Sequence, residues 1–426
     1  MGRSRGACRS ALVPARRLRR RGRGVTSRLP GVNVVGPLRA ESGVGEASRA
    51  VVSALDAARV PVLPVEPPGG SVSRQNVRFP VLGVADAAFP VTVLCLTAAE
   101  TPGFAAEVGP GFFRGRRTIG LWWWEVSCFP EALHPAFGFV DEVWAGSAHI
   151  AGALSGPAAA AGVPVTSVRV PVRRAPARAV DRTALGLPGG FVFLSVFGYY
   201  SSVARKNPIG AIEAFRRAFA PGEGAALVLK CIDEQQHPTE HAAVVEAAAS
   251  HPDIHILPGY VSRSEMDALV QQSDAVVSLH RAEGFGFTPA EAMAQGKPVV
   301  ATAYSGNLDY MTAENSLLIP AELVPIGTGG GPYPEEGVWA EPDVDAAAAA
   351  MRRLADEPAL ARRLGARAAA DLAAGYAPDV AGAIMREALA PFGDDHRWAR
   401  ARMRAAAMRM RAGRARALRP RAALRG

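Results

Sequence analysis

The chain has 426 residues, which is long enough for two α/β domains with separate hydrophobic cores. Its formal net charge is +9, but residues 1–28 contain ten Arg and residues 396–426 contain eleven, with no acidic residue at either end. The body between them is therefore net negative. The high isoelectric point belongs to the two ends and gives no reason to expect that the folded domains bind nucleic acid.

The two Arg-rich ends have several interpretations. Residues 1–28 lack an apolar core behind the basic stretch, which argues against a secretory signal and favours a disordered tail. Residues 396–426 are a disordered tail, the product of an over-long reading frame, or a basic helix that contacts anionic lipid on the inner face of the membrane. No segment reaches the roughly 20 apolar residues that span a bilayer. Scattered cysteines without a C-x-x-C pair favour a reducing, cytoplasmic compartment.

The first half of the body, residues 29–175, begins with a β-loop-α-β pattern. The predicted elements are a strand at 31–36, a helix at 47–58 and a strand at 60–65. Gly43 and Gly45 stand before the helix, but they do not complete a G-x-G-x-x-G motif, and a tight turn explains them as well as a ligand loop does. No acidic residue follows at the spacing that an NAD ribose requires, which counts against a dehydrogenase.

Aromatic, strand-like segments follow at 118–125 and 139–147. Three of the six Trp residues are consecutive, at Trp122, Trp123 and Trp124. Aromatic faces stack on sugar rings, but we expect at least one or two of these rings to pack in the core. His134, beside a proline, is expected at the surface.

A Pro/Arg/Ala-rich segment at 171–188 predicts a hinge to a second α/β half. A strand at 191–197 leads through a loop to Arg205 and Lys206, and then to an Asn-Pro pair that is typical of a helix start. The later elements predicted are a strand at 226–230, a Gly/Pro loop at 325–340, and Ala-rich helices at 345–372 and 378–391.

Lysine is rare, with 45 Arg but only three Lys. Under such a bias, a position that stays Lys indicates a need for a compact ammonium group. We expect this of Lys206. Lys297, at the start of a strand, is better explained by chance, and Lys230 lies at the end of a strand.

The most informative pattern lies between two short strands at 274–279 and 297–302. Glu283 precedes a turn with Gly284 and Gly286, and Glu291 lies in a T-P-A-E string that has the form of a capping box. Gly296 stands at the expected helix C-cap. The free amides of this helix start would form an anion site at the carboxyl ends of the strands. Singly, these features are explained by a cap, a loop carboxylate and turn geometry.

Together they form the string E-G-F-G-x-x-x-x-E-A-M-x-x-G-x-P-V-V, from Glu283 to Val300. This string resembles the E-x7-E signature of the family 4 retaining glycosyltransferases, a group 1 type that includes mannosyltransferases and has the GT-B fold. The resemblance covers about residues 31–392. It implies two Rossmann-like domains facing each other across a cleft, with basic terminal tails outside them. The implied units are an acceptor-side domain at 29–175, a nucleotide-sugar-binding domain at 190–375, and a terminal helix at 376–395 on the domain junction.

The resemblance implies that a hexose, with mannose or glucose favoured, moves from a GDP- or UDP-sugar to a saccharide or lipid-linked glycan with retention. No cofactor is implied. No metal is expected either, because the sequence has no D-x-D motif or His/Cys cluster to hold one. No general base is evident, so the diphosphate itself would take the acceptor's proton.

The family's site residues can be carried onto this chain one by one. Glu283 would contact the donor sugar near its anomeric carbon, and Glu291 would bind the ribose hydroxyls. The departing diphosphate would be stabilised by the following groups: Lys206, Arg205 and the amides around Gly286, Phe287 and Thr288. Because Glu291 would also cap its helix, its replacement should lower stability together with activity, whereas Glu283 should have no structural role.

The resemblance implies further site positions, which match the family's motifs less fully. Many members of the wider family carry an Arg about six residues before the Lys, but here that place falls on Tyr199 or Tyr200. Lys206 is therefore a firmer assignment than Arg205. The remaining candidates are Gly43 and Gly45 as a loop over the donor phosphates, Lys230 as a second donor contact, and Glu125 and His149 on the acceptor side.

Three alternatives stay open. A GT-B sugar-nucleotide epimerase would use the same phosphate site but should carry dedicated acid and base residues. A catalytically silent sugar-nucleotide-binding protein would keep the fold without turnover. A basic nucleic-acid binder would rest on the two tails alone.

Overall fold

The computed structural model describes residues 31–177 and 180–392. The predictions for 1–28 and 396–426 lie outside these residues. The N-terminal half forms a six-stranded parallel sheet in the order β2-β1-β3-β4-β5-β6. Its elements are β1 Val32–Val35, α1 Gly43–Ala57, β2 Val62–Val65, β3 Val91–Leu94, α2 Thr101–Val108, α3 Pro110–Phe113, β4 Arg117–Trp122, β5 Glu142–Ala145, α4 Ala148–Ala160 and β6 Val165–Ser167.

The C-terminal half forms a second six-stranded parallel sheet, in the order β12-β11-β10-β7-β8-β9. Its elements are β7 Phe191–Gly198, α5 Val203–Lys206, α6 Pro208–Ala218, β8 Ala225–Ile232, α7 Pro238–Ala248, β9 Ile254–Leu257, α8 Arg263–Gln272, β10 Ala275–Ser278, α9 Phe287–Ala294, β11 Val299–Thr302, β12 Leu317–Ile319, β13 Ala321–Pro325, β14 Val338–Pro342, α10 Val344–Asp356, α11 Pro358–Tyr376 and α12 Pro378–Leu389. The central strands of both sheets are apolar and buried, as expected where helices cover both faces.

Helix α1 begins four residues earlier than predicted. Ser42 is its N-cap, and the Ser42 hydroxyl accepts a hydrogen bond from the Gly45 amide at 3.2 Å. Gly43 and Gly45 therefore lie in the first helical turn. The loop predicted at these two glycines was wrong, because the prediction took the glycine pair as a turn and did not use Ser42 as the helix cap.

The helix start predicted after Lys206 is confirmed. Asn207 is the N-cap of α6, and its side-chain oxygen accepts from the Gly210 amide at 3.1 Å. The Asn207 side chain also donates to the Leu279 carbonyl at 3.0 Å. The cap thereby joins the segment after β7 to the segment after β10, which are the two segments that carry the strongest predicted site residues.

The capping box predicted around Glu291 is wrong. Helix α9 begins at Phe287, after Gly286, whose φ of 85° is in the region that favours glycine. No side chain caps this helix, and Glu291 lies in its second turn. The helix ends as predicted, with Gly296 just beyond it at a φ of 77°.

The Gly/Pro loop predicted at 325–340 is shorter than expected because antiparallel strands β13 and β14 bound it. Only residues 326–337 are irregular. Ile326, Tyr333 and Trp339 pack into the hydrophobic cluster beneath the first sheet. The hairpin therefore belongs to the second half by sequence but packs on the first.

The end of the described chain also returns to the first half. The predicted helix at 345–372 is divided at Glu357 into α10 and α11. Ala381, Met385 and Leu389 of α12 are fully buried against α1. A Cβ atom on Gly382 would lie 2.1 Å from the Ala54 carbonyl oxygen, so glycine permits this close helix contact. Among the described residues, no helix is both long and apolar enough to cross a membrane.

Candidate functional site

A cleft of about 440 Å³ lies between the two sheets. The chain segments that line it follow the carboxyl ends of strands in both halves, which is where open α/β sheets bind ligands. The N-terminal side is formed by segments after β1, β2 and β4, and the C-terminal side by segments after β7, β8, β9 and β10.

The structure brings Arg205, Lys206 and Glu283 together in this cleft. The Lys206 Nζ atom lies 2.5 Å from Glu283 Oε1, and the Arg205 Nη1 atom lies 3.2 Å from Glu283 Oε2. Arg205 also donates to the Ala282 carbonyl at 2.7 Å. The three side chains come from segments that are far apart in sequence, so the predicted cluster is formed by the pairing of β7 with β10.

The charges of this cluster stabilise one another. Burial, the largest effect, would raise the pKa of Glu283, but Lys206, Arg205 and His280 lower it to about 2. Burial lowers the pKa of Lys206, although Glu283 acts in the opposite direction. Two cations share the Glu283 carboxylate, and the Glu125 carboxylate, which also lines the cleft, acts on both cations as well. A site of this kind can bind an anionic group such as a diphosphate.

The loop that carries Glu283 is fixed from behind. The Glu283 amide donates to Ser305 Oγ at 2.8 Å, and Tyr310 Oη donates to the Gly286 carbonyl at 2.7 Å. Buried His280 has its Nε2 atom 3.1 Å from Asn307 Oδ1, and burial lowers its pKa. Sequence reasoning missed these supports, because nothing in the pattern showed that the segment after β11 turns back onto this loop.

Helix α9 directs its start into the same cleft. Phe287 and Thr288 line the cleft, and neither amide forms a hydrogen bond within the described part of the chain. Free amides at a helix N-terminus, together with the helix dipole, favour an anion. The free amides predicted at this helix start are therefore present, although the helix begins two residues earlier than the capping box required.

Glu291 lies on the cleft wall and pairs with Arg263. The Arg263 Nη2 atom lies 2.6 Å from Glu291 Oε1. Burial raises the pKa of Glu291, while Arg263 lowers it in part. The expected structural roles of the two glutamates are thus reversed, since Glu291 caps no helix and Glu283 balances the buried Arg205 and the half-buried Lys206.

The predicted glycine pair contributes unequally. Gly43 lines the cleft, and a Cβ atom there would meet nothing within 4 Å. A Cβ atom on Gly45 would lie 2.4 Å from the Ala40 carbonyl oxygen, and Gly45 does not line the cleft. Gly45 therefore allows the chain to pack closely, while Gly43 leaves the cleft open.

Lys230 and Lys297 are both held by backbone carbonyls. The Lys230 Nζ atom donates to the Cys231 carbonyl at 3.0 Å and to that of Gly259, and burial lowers the pKa of Lys230. Lys297 donates to the Ser273 carbonyl at 2.9 Å, which fits its expected lack of a ligand role. Lys230 lines the cleft, but its ammonium group already has two partners.

The three consecutive tryptophans divide between core and cleft. Trp122 and Trp124 are buried beneath the first sheet, as expected for one or two of these rings. Trp123 lines the cleft, with its ring centre 5.7 Å from that of Phe287 across the domain boundary. An aromatic ring is therefore present on the N-terminal side of the cleft.

Of the two acceptor-side candidates, Glu125 lines the cleft and His149 does not. Tyr333, from the β13–β14 hairpin, donates to Glu125 Oε2 at 2.9 Å. His149 lies behind, with Nε2 2.8 Å from the Glu125 carbonyl oxygen, and burial lowers its pKa. His134 is half-buried, and its ring stacks on that of Phe129.

Residues 195–371 match the family described as Glycosyl transferases group 1. This segment includes Arg205, Lys206, Glu283 and Glu291. The chain carries a glycosyltransferase domain. Comparison with curated protein sequences gives no match. Among the described residues, no three His, Cys, Asp or Glu side chains are grouped as a metal site would require.

Solved structures resemble most of the chain in fold. Sucrose-phosphate synthase from Thermosynechococcus elongatus has a TM-score of 0.63 at 16% identity, covering 85% of this chain and 98% of that one. HepE from Anabaena, solved with UDP and glucose, has a TM-score of 0.61 at 14% identity over 85% and 100%. A glycosyltransferase from Rickettsia africae has a TM-score of 0.59 at 14% identity over 85% and 98%. These likenesses confirm the predicted fold of two Rossmann-like domains, the GT-B architecture.

Proposed function

We propose that this glycosyltransferase moves a hexose, with mannose or glucose favoured, from a GDP- or UDP-sugar to a saccharide or lipid-linked glycan, with retention of anomeric configuration. The observation that carries the proposal is the ion cluster of Arg205, Lys206 and Glu283, which faces the start of α1 across the cleft. In this proposal residues 29–175 form the acceptor side and 190–375 the donor side.

The donor diphosphate would lie against Lys206, Arg205 and the free amides of Phe287 and Thr288. These groups carry positive charge or dipole, and they are fixed before the donor arrives. Charge that grows on the departing phosphate would therefore be stabilised without reorganisation of the protein. HepE, which has the same fold, was solved with UDP, which supports a nucleoside diphosphate as the ligand class.

The donor sugar and ribose would each meet one glutamate. A pKa near 2 keeps the Glu283 carboxylate ionised, so it can accept hydrogen bonds from sugar hydroxyls close to the anomeric carbon. Positive charge that develops on the sugar in the transition state would also be stabilised by this carboxylate. Glu291, in the helix that follows the Glu283 loop, would accept hydrogen bonds from the ribose hydroxyls.

The acceptor would enter beside Trp123 and Glu125. The Trp123 ring offers a stacking face, and Glu125 offers a carboxylate whose Oε2 atom is oriented by Tyr333. A departing diphosphate oxygen would take the acceptor proton, and attack from that same face would give retention. The eleven Arg of residues 396–426 would favour an acceptor held at an anionic membrane surface, on its cytoplasmic side.

The proposal is tested with a panel of UDP- and GDP-sugars. One of them should raise the unfolding temperature of the protein, since a ligand that binds only the folded state stabilises it. Lys206→Ala should weaken that shift, whereas Lys297→Ala, the same charge change at a lysine bonded to the Ser273 carbonyl, should leave it unchanged. NMR of the product should then show the donor's anomeric configuration in the new glycosidic bond.

Other outcomes would replace the proposal. An epimerised nucleotide sugar without transfer would make the protein an epimerase. Protection by a nucleotide sugar, with no turnover on any saccharide or lipid-linked acceptor, would make it a binding protein. The absence of protection by every nucleotide sugar would refute the donor assignment.

A further inference from the structure

A row of alternating charges crosses the cleft outside the ion cluster of Glu283. On α1, the Arg49 Nη2 atom lies 2.7 Å from Glu46 Oε2. Arg263, at the start of α8, lies 3.9 Å from the same Glu46 carboxylate and 2.6 Å from Glu291 on α9. The row therefore connects a helix of the first half to the glutamate that the proposed function assigns to the ribose.

Arg263 is the central residue of this row. Its Nη2, Nη1 and Nε atoms face Glu291, Glu46 and Asp267, with Nε 3.0 Å from Asp267 Oδ1. A planar guanidinium group with several fixed donors suits this use better than the point charge of a lysine. Asp267 also accepts from Arg173, which lies in the segment between the two sheets. Arg263 therefore contacts carboxylates from both halves. Through Asp267 it is also linked to Arg173, in the segment that joins the two halves.

Glu46 is held in place on its own side of the cleft. Arg49, its partner, donates through Nη1 to the carbonyls of Leu38 and Ala40, at 2.9 Å each. The position of Glu46 is thus tied to the loop after β1. Any movement of the first half relative to the second would change the distance between Glu46 and Arg263.

The contacts of Glu291 leave room for a ligand. Arg263 engages Oε1, while Oε2 has no hydrogen-bond partner among the described residues. A carboxylate fixed through one oxygen presents the other in a defined direction. A ribose diol donates hydrogen bonds to such a carboxylate, and a 2′-deoxyribose has one donor fewer.

We infer that Arg263 is a positioning residue that orients Glu291 toward the ribose hydroxyls, and that Glu46 strengthens this orientation when the two halves are close together. The inference rests on the proposed function, which assigns Glu291 to the ribose. Its consequence is that preference for ribonucleotides over 2′-deoxyribonucleotides depends on a contact between the two domains.

The test compares the dissociation constants of UDP, GDP and their 2′-deoxy forms by calorimetry. Hydrogen bonds to charged groups contribute about 1.5–3 kcal/mol, so the wild type should prefer the ribo form of its nucleotide by roughly 10-fold or more. In Arg263→Gln the preference should fall below about 3-fold. Arg263→Lys should retain part of it, which would show that the loss does not come from misfolding.

The contribution of Glu46 is tested in the same assay. Glu46→Gln should reduce the ribo preference by roughly 1.5- to 5-fold, the range expected for a partly exposed ion pair. Glu46→Gln should add nothing in the Arg263→Gln background, since both act through one contact. The matched control is Arg352→Gln, because the Arg352 side chain is 39% exposed, as is that of Arg263, but pairs with Glu223 outside the cleft.

The possible results distinguish a failure of the Arg263 inference from a failure of the ribose assignment of Glu291. If Arg263→Gln weakens the ribo and deoxy forms equally, or leaves the preference intact, the inference is refuted and the ribose assignment of Glu291 stands. If Arg352→Gln lowers the preference as much as Arg263→Gln does, the effect is general to the fold and the inference is again refuted. If the wild type shows no ribo preference, the ribose assignment fails, and the inference fails with it.

Discussion

Replacing Glu283 by Gln removes the one carboxylate that Arg205 and Lys206 share. The Arg205 side chain is 4% exposed and that of Lys206 is 20% exposed, so neither can regain full hydration. Breaking a buried ion pair from one side costs roughly 3–5 kcal/mol. The amide can still accept from Lys206, which places the expected loss of unfolding free energy near the lower end, at about 3 kcal/mol.

The pKa of Glu283 gives a second route to this magnitude. A fall from its ordinary value of 4.5 to about 2 corresponds to about 3 kcal/mol at neutral pH. Because the folded pKa is the lower one, this stability is present above pH 4.5 and is lost as the pH falls toward 2. Glu283→Gln has no such group. The stability difference between wild type and variant should therefore be constant near neutral pH and shrink in acid.

Urea denaturation at pH values between 3 and 7 measures this difference. Glu341→Gln is the control, since it removes a carboxylate that is 41% exposed and 2.5 Å from Arg281. A pair this accessible should contribute less than about 1 kcal/mol. If Glu283→Gln is no less stable than Glu341→Gln at pH 7, or if its deficit does not shrink in acid, the electrostatic account of the cluster is refuted. Turnover should be lost in Glu283→Gln while nucleoside diphosphate binding persists, because both cations remain.

Two further predictions concern packing and the acceptor side. Gly45→Ala should lower the unfolding free energy by about 1–3 kcal/mol, because its Cβ atom would meet the Ala40 carbonyl oxygen. Gly43→Ala should change the unfolding free energy by less than about 0.5 kcal/mol, because its Cβ atom would meet nothing. Urea denaturation of both variants tests this. Tyr333→Phe removes the hydrogen bond to Glu125 and should raise the acceptor KM by roughly 2- to 10-fold with the donor KM unchanged, and a rise in the donor KM instead would contradict the acceptor assignment.

The fold was predictable because it depends on local patterns that repeat. Apolar runs such as Phe191–Gly198 alternate with helical segments, and this alternation indicates parallel sheets buried on both faces. The contact between Lys206 and Glu283 could also be predicted from the sequence. Both follow strands of one predicted sheet, and in a parallel sheet the carboxyl ends lie at one edge.

The remaining contacts depend on long-range packing that local patterns do not encode. The start of α9 is set by Gly286, whose carbonyl is held by Tyr310, and this contact displaced the predicted capping box. The hydrogen bond from Tyr333 to Glu125 joins residues separated by 208 positions. Arg263 has three carboxylate partners, of which only Asp267 follows at a helical i,i+4 spacing. No spacing in the sequence connects Arg263 with Glu46 or Glu291.

The two glutamates of the E-x7-E string therefore differ physically in a way that bears on how their variants are interpreted. Glu283 balances the buried Arg205 and the half-buried Lys206, so its loss changes both the fold stability and the charge of the cleft. Glu291 has a partner, Arg263, whose guanidinium still has Asp267 and Glu46 beside it when Glu291 is removed. An inactive Glu291 variant that unfolds like the wild type would thus be evidence about ligand binding. An inactive Glu283 variant becomes evidence about chemistry only after its stability has been measured.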